Sequence, residues 1–103
     1  TINHHSGGYT SGSGGGSPTI AKTNPIDAAA GFTAERNNTT RITGGTAVLL
    51  HAEGWPSQGG FAYHPIPGSE PVASQAEAIS IGLEVAPGAS TAFNGVVEVE
   101  EMP

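Results

Sequence analysis

The chain has no cysteine, so no disulfide can staple it, and its redox compartment cannot be read from thiol chemistry. It also has few cations: Lys22, Arg36 and Arg41 stand against one aspartate and eight glutamates, for a formal net charge of −6. Nucleic-acid binding scales with the number of phosphates neutralised, and three scattered cations make no basic face, so no nucleic-acid partner is expected. No apolar run approaches the 18 or so residues of a membrane helix, and no basic stretch leads into an apolar core. Neither a membrane partner nor a signal peptide is therefore expected. Charged residues of both signs make up only 12% of the chain, about half the usual share.

Large apolar side chains are scarce as well. Hydrophobic residues are 36% of 103, but 14 of them are alanine. Glycine, serine, threonine, asparagine, proline and alanine dominate the first 31 residues. We read residues 1–31 as an extended arm and residues 32–103 as a small β domain. A domain of that size with so thin a core is marginal unless a partner completes it, which points to a homo-oligomer or another obligate assembly.

Within the arm, SGGYTSGSGGGS at residues 6–17 holds six glycines and four serines. Such a segment loses much backbone freedom on ordering and returns little buried surface. It reads either as a flexible tail or linker or as an arm laid across a neighbouring subunit, with Tyr9 and, further on, Ile20 as anchors on the partner. Asn24-Pro25 reads as a turn, and Asp27 as the cap of at most one helical turn over Ala28 to Ala30.

The rest alternates in the manner of short strands. TRITGGTAVLLHAEG, residues 40–54, is a strand kinked or reversed at Gly44-Gly45, with Val48 and Leu50 on one face and Ala47, Leu49 and His51 on the other. Being apolar on both faces, it suits a central strand or one whose outer face meets another subunit. Phe61 to His64 is a short edge strand ended by Pro65 and Pro67. Ile79, Ile81, Leu83 and Val85 share the face of a further strand; its first half, Ser74 to Ala78, has the composition of a helical turn, but the branched residues that follow favour a strand. Pro87-Gly88 reads as a turn, Asn94-Gly95 as a hairpin turn or bulge, and Phe93, Val97 and Val99 as one face of a last strand. The expected fold is all-β, a small antiparallel β-sandwich or barrel of five to seven strands.

Chemistry-bearing groupings are sparse. His4 and His5 are adjacent and fall in the arm, where neighbouring side chains rarely converge on one ion. The set closest to a metal centre is His51, Glu53 and His64, because His51 and Glu53 share a strand face and a two-histidine, one-carboxylate cluster suits iron or zinc. Gly54-Trp55 follows at once, which disturbs the alignment of Glu53, and no metal or other cofactor is expected. No serine sits in a nucleophile elbow, the lone aspartate lies in the arm, and the closely spaced Glu98, Glu100 and Glu101 have no cleft walls around them. The glycine run lacks the strand, helix and lysine of a phosphate-binding loop. The chain is not expected to be an enzyme. Asn37 and Asn38 head overlapping glycosylation sequons and read as turn residues.

Trp55, Phe61 and Tyr63 fall within nine positions. They are candidate partner-binding residues, either as a protein contact or as the stacking platform of a carbohydrate-binding or adhesion module. The competing structural role is a plug of Trp55 and Phe61 closing one end of a sandwich.

TTRITGGTAVLLHAEG, then EAISIGLEVAPGASTAFNG, then VVEVEEM, resembles the pattern of small β-sandwich structural proteins of tailed-bacteriophage virions: decoration, head-fibre or tail-associated components. The segment carrying the likeness is Gly82-Leu83-Glu84-Val85-Ala86-Pro87-Gly88-Ala89-Ser90-Thr91, a strand reversed by a Pro-Gly turn. The loop with Trp55, Pro65 and Pro67 departs from that pattern. The resemblance implies a capsid decoration or cement component located in the virion, bound to capsid or tail subunits, with the glycine-rich arm as a strap and no catalytic residue.

Overall fold

The computed structural model describes residues 1–56, 59–85 and 92–101. Its regular structure is a single antiparallel sheet of three strands, β1 (Ile2–Ser6), β2 (Thr46–His51) and β3 (Ala78–Ile81), in the order β2-β1-β3. No helix occurs among the described residues, so the chain is mostly β. No helix there is long and apolar enough to cross a membrane.

The central strand comes from the very start of the chain. Thr1–Thr10 and Ile42–Phe93 form one unit, and Ser11–Arg41 and Asn94–Pro103 a second. The physical reason lies in INHHS itself, which contains no glycine and can hold extended backbone at ordinary cost; the permissive residues begin only at Gly7. Gly7 and Gly8 have φ of 73° and 80°, and Gly44 and Gly45 across from them 72° and 62°. These four left-handed residues interrupt the ladder between the pair Ser6↔Thr46 and the isolated bridge Thr10↔Thr43.

In the first unit, β1 pairs with β2 as Asn3↔Leu49, His4↔Val48, His5↔Ala47 and Ser6↔Thr46, then slips so that Ile2 faces His51. Leu50 is the extra residue of this bulge. One inserted residue reverses the alternation, so His51 is carried opposite Ile2 instead of continuing the face of Ala47 and Leu49. On the other side β1 pairs as Ile2↔Ile81, Asn3↔Ser80, His4↔Ile79 and His5↔Ala78.

Burial is slight. Ile2 at 4% exposure is the one buried hydrophobic residue among those described, and His5 the one buried polar residue. Val48, Leu49, Leu50, Ile79 and Ile81 all remain 37–58% exposed although they belong to the sheet.

Where five to seven strands were expected, the described residues form three strands and three isolated bridges. Phe61 to His64 forms no strand, consistent with the N–H donors that Pro65 and Pro67 lack just beyond it. Phe93 to Val99 is likewise unpaired, and Glu101 there turns its carboxylate to the Gly31 N–H at 2.6 Å. The strand read through Val85 stops at Ile81. The expected turn at Asn24-Pro25 is present: the Asp27 N–H donates to Asn24 O at 3.1 Å while Asn24 Oδ1 accepts from the Ile26 N–H at 3.2 Å. Ser74 to Glu77, read as the first half of a strand, is a turn closed by the Glu77 N–H donating to Ser74 O at 3.1 Å, and β3 begins at Ala78. The short helical turn read at Ala28 to Ala30 is absent. The Pro87-Gly88 turn, and with it the segment from Ala86 to Thr91, lies outside the described residues.

The second unit is held by its backbone. Ser13 pairs with Thr40 and Gly16 with Arg36, the latter through reciprocal N–H···O bonds of 3.0 and 2.8 Å. Asn38 reinforces them: its Oδ1 accepts from the Gly15 N–H at 3.1 Å and its Nδ2 donates to Glu35 Oε2 at 2.7 Å. A Cβ on Gly12 would stand 2.6 Å from Thr40 O, and one on Gly15 would overlap Arg36 O. The glycines here let two backbones approach closer than any side chain permits.

Candidate functional site: an aromatic chain beside an uncovered sheet

His51 sits at the bulged end of β2, and its ring starts an unbroken run of ring contacts in the first unit. Tyr63 lies 4.5 Å from it, centroid to centroid, at 36°, and Phe61 lies 6.4 Å from it at 38°. Phe61 then meets Trp55 at 6.2 Å with planes 27° apart, and Trp55 meets Phe93 edge-on at 5.4 Å and 85°. The described residues between Gly54 and Pro67 belong to no helix or strand, and these ring contacts help to position them. Trp55, Phe61 and Tyr63, expected as partner-binding residues, are thus brought together. Trp55 and Tyr63 are half-buried, and Phe61 is 37% exposed. Their geometry spends ring faces and edges on one another, which leaves less for a flat sugar platform than three separate exposed rings would.

The run also draws in two residues that sequence reasoning placed elsewhere. Phe93 was read as a strand residue and His51 as a metal candidate. A one-residue bulge leaves no mark on the hydrophobic pattern, so the turn of His51 toward the loop was not visible in TAVLLH.

Of the metal candidates, His51 and Glu53 do meet, with Nε2 3.4 Å from Oε1. His64 does not join them: among the described residues no group of three histidine, aspartate or glutamate side chains converges on a point that could hold an ion.

The two histidines of β1 have structural partners. His4 donates from Nε2 to Glu77 Oε1 at 3.0 Å, and the same carboxylate oxygen accepts from the Ser74 N–H at 2.8 Å. The Ser74 N–H first, and the His4 imidazole second, hold the Glu77 carboxyl below its ordinary value of 4.5. His5 Nε2 is hydrogen-bonded to Ser80 Oγ at 2.7 Å across the β1–β3 pair. No family model matches this chain, and no curated protein or solved structure matches it significantly. The geometry must carry the functional argument by itself.

Beside His4, a shallow cavity lined by Leu50, Tyr63, Glu70 and Pro71 holds about 220 Å³, short of the roughly 300–1,000 Å³ usual for small-molecule sites. Of the arm anchors, Tyr9 is half-buried with its ring 6.2 Å from that of His5, and Ile20 is 39% exposed. The largest feature in the first unit that asks for a partner is the sheet. Apolar side chains of β2 and β3 stand uncovered around a central strand that buries a single aliphatic residue.

Proposed function

We propose that this protein is a structural virion component, a capsid decoration or cement subunit that binds capsid subunits and stabilises the particle. The observation that carries the reading is the exposure of Val48, Leu49, Leu50, Ile79 and Ile81 on a formed sheet. Each aliphatic side chain fully covered gains roughly 1.5–3 kcal/mol, so Val48, Ile79 and Ile81, which the register sets on one face with Ile2 and His4, are a substantial driving force for association. Low charge and the resemblance to virion β-sandwich proteins support the same reading. In the assembly a neighbouring subunit supplies the facing layer that turns the sheet into a sandwich. The glycine-rich segment lies along the particle as a strap, with Tyr9 and Ile20 buried on its surface.

The test is co-sedimentation with particles of the virus that encodes the chain, read together with the temperature at which those capsids open. Binding with a raised opening temperature, weakened by Ile79→Lys, is the expected result. Failure to bind those particles under any condition overturns the reading. The strap is tested by Tyr9→Ala with Ile20→Ser, since deleting residues 1–20 would remove β1 itself.

A further inference from the structure

We propose that the outer edge of β2 pairs antiparallel with the same edge of a second copy of this chain, centred on Val48, to give a continuous six-stranded sheet. This rests on the reading of the sheet as an assembly surface and names its partner.

Among the described residues the sheet order leaves two open edges, β2 and β3. Natural edge strands are protected by charge or proline, and β2 has neither: residues 42–52 contain no lysine, arginine, aspartate, glutamate or proline. Val48, Leu49 and Leu50 are 50%, 58% and 41% exposed, covering both faces of the strand, which is the composition of an interior strand placed at an edge. Beyond β2 the first carboxylate is Glu53, two residues past its end, so a symmetric β2 pair brings two carboxylates near its ends, whereas β3 is flanked by carboxylates on both sides. Glu77 precedes it and Glu84 lies three residues beyond it, so a symmetric β3 pair would gather four carboxylates at its ends. Charge therefore selects β2.

Symmetry then selects the register. A two-fold axis through an antiparallel pair runs perpendicular to the sheet and preserves its faces, so one residue must oppose itself. Centring on Val48 sets Val48 opposite Val48, Ala47 opposite Leu49, and Thr46 opposite Leu50. Centring on Ala47 would draw the left-handed Gly44 and Gly45 into the ladder, and centring on Leu49 would place the bulged Leu50 and His51 inside it. Only the Val48 register keeps both disruptions at or beyond the ends of the pair. Five residues a side bury less than the ~800 Å² per partner of a standard stable interface, so the dimer is concentration-dependent. Copies of net charge −6 repel outside an uncharged seam, so added salt strengthens it.

The test uses the full chain. Residues directly opposite in an antiparallel pair lie about 4.5–5.5 Å apart, within the ~4.4–6.8 Å Cα span of a disulfide. In this cysteine-free background, Val48→Cys in a glutathione redox buffer should collect as a disulfide-linked species of twice 10.3 kDa, while Ser80→Cys on β3 and Val85→Cys outside the sheet should lag at least tenfold. Sedimentation of the unmodified chain should show a monomer–dimer equilibrium that shifts to dimer with salt and is lost in Val48→Lys. A monomer at every concentration, or Val48→Cys crosslinking no faster than the other two cysteine variants, overturns the pairing. If such a monomer still binds particles, the virion reading stands without it; a dimer crosslinked through Val48 that binds no particle sinks the virion reading and upholds the pairing.

Discussion

The two units both join distant stretches of backbone by antiparallel pairing, but they reinforce it differently. In the unit of Thr1–Thr10 and Ile42–Phe93, side chains are laid over the three-stranded ladder: Ile2 between two strands, His4 on Glu77, His5 on Ser80, and five rings in sequence. In the unit of Ser11–Arg41 and Asn94–Pro103, isolated bridges are reinforced by Asn38 and by Glu101 on the Gly31 N–H, and glycine matters because it is absent bulk. A low-complexity stretch is therefore not by itself a statement of disorder. Serine and glycine can form a ladder where small size permits close approach.

The largest expected effect falls on the first unit. Ile2→Ala removes its one buried aliphatic residue and should cost roughly 2–4 kcal/mol. Amide exchange should quicken across β1, β2 and β3 and stay unchanged at Ser13, Gly16 and Arg36; loss of protection everywhere at once would break the distinction between the units. Gly15→Ala is the converse experiment. Its Cβ overlaps Arg36 O, so the cost should be about 1–3 kcal/mol, confined to exchange at Gly16, Arg36 and Thr40.

A smaller effect tests the ring contacts. Phe93→Leu keeps apolar bulk but removes the edge-on partner of the single tryptophan, at a cost of about 0.5–1.5 kcal/mol. Trp55 emission should move to longer wavelength, and an unmoved spectrum would mean that the ring contact is not populated in solution.

The smallest effect is a pH signature. Because the folded-state pKa of Glu77 is depressed, its stabilising contribution is present above the ordinary glutamate value of 4.5 and fades as pH falls through the lower folded value. Glu77→Gln should thus be less stable than the parent near neutrality and converge with it in acid. Parallel stability curves across that window would remove Glu77 from the forces holding the lead-in to β3.

TAVLLH was legible as a strand because branched and aliphatic residues run through it, AISI because Ile79 and Ile81 alternate with Ser80, and the turn at Asn24 because a short polar side chain caps its own backbone. Trp55, Phe61 and Tyr63 were legible as a group through their spacing. The central place of INHHS was not, since five residues beside a glycine run offer no periodicity long enough to weigh against their neighbours. The partners of His4 and His5 were hidden for the same reason: Glu77 and Ser80 lie more than 70 residues away.

By itself the sequence determined what this protein is made of: a mostly-β chain with few charges and too little apolar mass for a self-sufficient core. Those properties follow from composition and local alternation, which need no knowledge of what lies next to what. Only tertiary structure decided that the first strand is the middle one, that a bulge turns His51 toward the aromatic loop, and that a strand apolar on both faces stands at an edge. Each depends on pairing across tens of residues, and pairing is decided by which backbone groups and side chains find one another in space.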